Sequence, residues 1–253
     1  LTGKVVIYQK DFSQFNDKWF EKQFGRLERD FIAKKLSAKI EIVRAAFEIA
    51  TKAHKNQTRA NGEPYLIHPL SVAEILLDEF EIVGMFKIYE NISQSKRADR
   101  VKREVNRYAD EILLSAIFLH DVIEECGIDG ETIRQAIFNK LKELFDKKDI
   151  AYAIADIISN IVNILTKSTT EELASDEKHL EKILDTMKYI QVLKIGDRLH
   201  NHRTPRYKWT AEEAMAYLDT TRAFVDKSRA PDKVKNIFIE KVNNLYTSEL
   251  AKR

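Results

Sequence analysis

The chain has 253 residues, enough for one domain with an appendage and for a sizeable buried core. Apolar residues make up 44% and charged residues 32%, which excludes a disordered chain. The formal charge of +2, from 42 basic and 40 acidic residues, leaves no overall footprint for duplex nucleic acid.

Only 7 glycines and 4 prolines interrupt the chain, so long helices with short connections are expected. Lys4–Gln9 has the pattern of a short strand, and Asp11–Lys35 reads as an irregular or helical lead-in. Residues 1–36 are therefore expected as an N-terminal extension ahead of a domain over 37–253. From Ser37 a 3.6-residue period takes over: Ile40, Val43, Ala46, Phe47, Ala50 and Ala53 share a face and predict a helix over 38–55. Asn56–Pro64 is a polar loop, and a new helix starts near Pro69, where a missing N–H is harmless. Glu79–Ala109 is less regular, with an apolar piece (Ile82–Tyr89) and a basic run from Lys96 to Arg107.

Helices follow at about 110–125, 130–145 and 148–166, then, after a polar loop at Thr169–Glu177, at 178–188, 190–202, 211–228 and 231–249. Pro205 and Pro231 mark breaks. The run Ile112–Leu119 is interrupted by Ser115 and stops at His120, far short of a membrane span. With no leader pattern at its start and Cys126 as the single cysteine, the chain is expected in a reducing compartment, the cytoplasm. The expected fold is all-α.

Each of the six histidines, taken singly, is more often a core or surface residue than a ligand. Context changes this at His120–Asp121, which ends an apolar run and is followed by Glu124 and Glu125. On a helix these acids share a face, and crowding them after a buried run is costly unless a cation neutralises them. The alternative is a solvated helix end, although acids favour the opposite end of a helix. Lys194–Thr204 (KIGDRLHNHRT) places Asp197 and Asn201 at i, i+4, a pattern an ordinary charged helix also gives. In Gly62–Leu70 (GEPYLIHPL), His68 stands just before a helix. Mixed imidazole and carboxylate ligands suit a divalent metal that activates water.

Three blocks in order, Ala53–Leu70 (AHKNQTRANGEPYLIHPL), Leu119–Glu125 (LHDVIEE) and Lys194–Thr204, with Thr166–Lys167 between them, resemble the histidine–aspartate (HD) hydrolase domain of the RelA/SpoT homologues. The resemblance runs from about 38 to 228. The sequence carries no match to the synthetase and regulatory domains of the long homologues, which points to the small alarmone hydrolases, including the metazoan SpoT homologue type. The resemblance implies a helical HD bundle and manganese-dependent removal of the 3′-pyrophosphate of ppGpp or pppGpp. His68, His120, Asp121 and Asp197 would hold the metal, and Glu124 and Glu125 would orient and deprotonate the attacking water. Arg59 would clasp the base with Tyr65 nearby, and Asn201 and Thr204 would bind ribose or phosphate. His54 and His200 would be structural, His179 and His202 surface residues.

Departures from the family pattern are Glu125 where aspartate is usual, Ala60 where a lysine is common, and Gly196 where alanine is usual. From His68 to His120 is 52 positions, about twice the family's spacing. The surplus falls within about 80–110 and carries Lys87, Lys96, Arg97, Arg100, Lys102, Arg103 and Arg107. It reads either as a solvated hairpin or as a basic flap near the metal facing an anionic substrate, tRNA among them. The same chemistry on the NADPH 2′-phosphate or on a pyrophosphorylated tRNA 3′ end, and a non-catalytic nucleotide-binding module, are the competing expectations.

Overall fold

The computed structural model describes residues 12, 14–35, 39–90, 92, 99–167, 176–204 and 210–250. These contain twelve α-helices and no β-strand, the expected all-α class. The strand expected at Lys4–Gln9 lies outside the described residues. Helix α1 (Asp17–Lys34) occupies much of the expected lead-in and starts at Asn16, whose side chain accepts from the Trp19 N–H. Its Phe20, Phe24, Leu27 and Phe31 recur at helical spacing and enter the core. Phe24 stacks on Phe47 of α2 (Ile40–Ala53) at 4.2 Å.

The centre of the fold is α5 (Ala109–Leu119), in which every residue is buried. A helix apolar all round requires partners on every side. Helices α2, α3 (Ile67–Glu74) and α8 (Lys148–Leu165) supply them. At its start, buried Glu111 meets Lys35 at 2.5 Å and accepts the Lys39 N–H, and Lys35 also reaches Asp110 at 3.2 Å. This pairing offsets the cost of burying acids there.

The loop between α2 and α3 is a tight fold-back in which Thr58 bridges Pro64 and the Tyr65 N–H donates to the Gln57 carbonyl. Its turn passes through Gly62 at φ 87, a left-handed conformation that glycine adopts without strain. Helix α3 runs into a π-helical turn, Ile75–Glu79, in which the Phe80 N–H donates to the Ile75 carbonyl. That turn brings Leu76 against α10 (Lys188–Arg203): a Cβ on Gly196 would stand 3.0 Å from Leu76. The departure from alanine at this position thus has a packing reason.

The helix expected over 110–125 is two helices. It breaks at His120–Asp121, and α6 (Val122–Cys126) follows, closed by Gly127 at φ 67. Helix α4 (Arg100–Arg107) packs on α8, α7 (Gly130–Leu141) pairs with α8, and α9 (Asp176–Leu184), α11 (Ala211–Lys227) and α12 (Asp232–Leu250) close the other flank around α10.

Candidate metal centre

Three elements converge at the C-terminal end of α5: the first turn of α3, the α5–α6 break and the middle of α10. His68 Nε2 lies 3.1 Å from His120 Nε2, 3.4 Å from Asp121 Oδ2 and 3.2 Å from Asp197 Oδ1. His120 Nε2 lies 3.2 Å from Asp121 Oδ1 and 3.7 Å from Asp197 Oδ1. His68, His120 and Asp197 are buried and Asp121 is partly open, so one side of the cluster faces a cleft.

The outer atoms of these rings decide what the inner ones can do. His120 Nδ1 is 2.7 Å from the Ile117 carbonyl, which only accepts, so His120 donates there and Nε2 is the atom left facing the cluster. His68 Nδ1 is 2.8 Å from His200 Nδ1. Arg59, which only donates, lies 3.2 Å from the same His200 nitrogen. Around the carboxylates, the Tyr65 hydroxyl donates to Asp121 Oδ2 at 2.8 Å and Asn201 donates to Asp197 Oδ1 at 2.9 Å. Lys194 pairs with Asp197 Oδ2 at 2.9 Å.

Electrostatics follow the geometry. Burial alone would raise the Asp197 carboxyl, but Lys194 and the His120 and His68 rings hold it well below the usual carboxylate range. Burial opposes protonation of His120, yet Asp121 and Asp197 push its ring up to about 9. Burial, with the charges at His68 and Arg59, pushes His200 down to about 2, so that ring is neutral. Two imidazole nitrogens and the Asp197 carboxylate lie within 4.8 Å of one another, with Asp121 against both rings, and such a donor set suits a divalent first-row ion.

The cluster opens into a cleft of about 350 Å³ lined by Tyr65, Asp121, Glu124, Lys167, Lys194 and Arg198 among others. Glu124 and Glu125 are exposed on α6 at its rim. Glu124 accepts the Lys167 N–H at 3.3 Å, and Glu125 accepts from Gln57. A second cleft of about 270 Å³, lined by Thr58, Arg59, Asn61 and Thr204, shares Tyr65 and Glu125 with the first.

The residues expected to bind substrate have partners within the protein. Arg59 is not free in the cleft: it donates to Asn201 at 2.7 Å as well as to His200. Tyr65 stacks on His54 at 4.5 Å and holds Asp121. The Thr204 hydroxyl donates to the His200 carbonyl, inside its own helix end. His179 and His202, expected at the surface, are 3% and 7% exposed. His179, on α9, meets the Leu165 carbonyl at the end of α8, and His202 meets Thr221 of α11 and Tyr246 of α12. Helix periodicity does not report such cover.

The described part of the basic insertion sits beside the start of α5. That helix has 11 residues, which separates its ends by roughly 16 Å. Arg100 pairs with Asp149, Lys102 with Asp99 and Arg107 with Glu104. Helix α4 is thus a packed, charge-paired helix that leads into the end of α5 farther from the cluster. Lys96 and Arg97 lie outside the described residues. Lys194 and Lys167, which bring positive charge to the cleft, carried no role in the sequence reading, since lysine is common on helices and loops alike.

No described helix is long and apolar enough to cross a membrane. No family model matches the chain. It is similar to the guanosine-3′,5′-bis(diphosphate) 3′-pyrophosphohydrolase of Vibrio cholerae, 29% identical over 167 residues, 65% of this chain and 18% of that protein. It is similar to the bifunctional (p)ppGpp synthase/hydrolase SpoT of Escherichia coli, 29% identical over 168 residues, 65% of this chain and 18% of that protein. The probable GTP pyrophosphokinase of Mycobacterium leprae is 27% identical over 186 residues, 72% of this chain and 18% of that protein. The chain thus spans less than a fifth of these relatives, whose names cover both pyrophosphohydrolases and pyrophosphokinases.

Proposed function

We propose that this chain is a small RelA/SpoT-type HD phosphohydrolase that removes pyrophosphate from the 3′ position of ppGpp and pppGpp. The observation that carries the reading is the convergence of His68, His120, Asp121 and Asp197 at the wall of a cleft with cationic side chains. Relatives similar over 65% and 63% of the chain include named 3′-pyrophosphohydrolases. The four residues would hold one divalent cation, manganese by the family resemblance. When bound, it neutralises phosphoryl charge and lowers the pKa of water.

The chain's own groups supply the rest. Tyr65 and Asn201 keep one oxygen each of Asp121 and Asp197 in place, which narrows the geometries the carboxylates adopt. Glu124, at the rim of the same cleft, takes the proton of the attacking water. Glu125, one methylene longer than the aspartate usual in the family, supports it. Water adds to phosphorus, the bond from phosphorus to the 3′ oxygen breaks, and that oxygen leaves with a proton, giving GDP or GTP and pyrophosphate. Lys167 and Lys194 offset the charge of the pyrophosphate, Asn201 lines the same cleft, and Arg59 and Thr204 line the adjoining one, which would take the nucleoside.

Purified protein incubated with ppGpp and Mn²⁺, read by ion exchange, should release pyrophosphate, and a His120→Ala/Asp121→Ala variant should not. Absence of release from ppGpp and pppGpp by the wild type would falsify the proposal.

A further inference from the structure

His200 touches none of the cleft where the alarmone is placed, yet it is the outer partner of a cluster ligand. Its Nδ1 is 2.8 Å from His68 Nδ1 and 3.2 Å from an Arg59 nitrogen. Two ring nitrogens at that separation share one proton, and geometry alone leaves open which ring carries it. Arg59 removes the ambiguity. A guanidinium has donors and no lone pair, so the His200 nitrogen it faces must be the acceptor. The proton in the 2.8 Å contact therefore sits on His68 Nδ1, and the lone pair of His68 is on Nε2, the atom facing His120, Asp121 and Asp197.

We infer that His200 is a positioning residue for the metal: it accepts the His68 Nδ1–H and so sets which nitrogen of His68 points a lone pair at the cation. This inference rests on the metal-dependent reading above. An imidazole acceptor differs in kind from the carboxylate or carbonyl that more often backs a metal-bound histidine. It orients the ring without adding negative charge next to the two carboxylates already there. His120 shows the other solution in the same site, with the Ile117 carbonyl as its acceptor. His200 is buried, and its place on α10, three residues beyond Asp197, lets one helix supply both a ligand and the acceptor that orients another.

The test needs two measurements. Long-range ¹H–¹⁵N correlation spectra of wild-type protein loaded with Zn²⁺, a diamagnetic probe, report the protonated nitrogen of His68. A proton on Nδ1 is expected, and a proton on Nε2 overturns the inference without any variant. Mn²⁺ titrations followed by electron paramagnetic resonance then compare His200→Leu with His200→Asn, whose side-chain oxygen can stand where Nδ1 stands. His200→Leu should weaken Mn²⁺ binding roughly 10- to 100-fold, and His200→Asn should restore most of the affinity. Wild-type affinity in His200→Leu, or equal weakening in both variants, refutes the role of His200. A wild type that binds Mn²⁺ and shows these affinities yet hydrolyses no alarmone rejects the proposed substrate and leaves His200 as assigned.

Discussion

Replacing Lys194 by methionine should make the protein less stable and, at the same time, a tighter binder of Mn²⁺. The ammonium lies 2.9 Å from Asp197, with side chains 15% and 6% exposed. At that distance the attraction is about 6 kcal/mol for an effective dielectric of 20. Desolvation of both groups offsets part of this, and His68, His120 and Asn201 still face the carboxylate, so the net loss without metal is on the order of 3 kcal/mol. Methionine keeps the length of the stem, so packing contributes little to the change.

With a divalent ion beside Asp197, the lysine charge is no longer needed there and repels the ion instead. The deficit in saturating Mn²⁺ should then shrink to about 1 kcal/mol. Linkage requires the difference of about 2 kcal/mol to appear as roughly 30-fold tighter Mn²⁺ binding. Urea unfolding in EDTA and in Mn²⁺, with a metal titration, closes the cycle. Equal losses in the two conditions, or weaker Mn²⁺ binding by the variant, would refute the electrostatic account of the cluster.

Three other expectations follow from particular contacts. Tyr65→Phe removes the hydroxyl that holds Asp121 and should weaken Mn²⁺ binding about tenfold; an unchanged affinity in the same titration removes that role. Gly196→Ala should stay within about 1 kcal/mol of wild type, since helix propensity offsets the squeeze on Leu76, whereas Gly196→Leu should lose at least about 3 kcal/mol. Urea midpoints check both, and a tolerated leucine would mean that α3 and α10 do not approach as described. Burial first, then the charges of Arg198 and Arg222, pushes His202 down to about 3. Its folded value lies below the unfolded one of about 6.5, so unfolding takes up a proton and stability is lost as pH falls below that value. Between pH 6 and 5 the wild type should lose about 1.2 kcal/mol more than His202→Gln. Parallel losses would show that His202 is not buried neutral.

Helix periodicity carried most of the fold. The apolar spacing of Ile40–Ala53 and Lys148–Leu165 predicts those helices to within a few residues. The scarcity of glycine and proline predicts the all-α class. Continuity of a helix is less legible. Nothing in the letters LHDVIEE signals a break, and at the break the His120 ring meets the Ile117 carbonyl and His68, a contact from a distant helix that the letters do not carry. Helix α1 depends on distant partners in the same way. The phenylalanines of α1 look merely aromatic until Phe47 and Phe118 are found beneath them.

For the site, the sequence by itself determined the residue types and the helices that bear them: imidazoles and carboxylates on three segments, with local spacings such as that from Asp197 to Asn201. Only the tertiary structure decided that His68, His120 and Asp197 come within 4.8 Å of one another with Asp121 beside them, that Arg59 and His200 stand behind His68, and that Lys194 faces Asp197. Local spacing follows from the helical repeat and is readable along the chain. Convergence depends on how α3, α5 and α10 pack, which depends on volumes such as that left by Gly196 and on buried pairs between residues far apart in sequence.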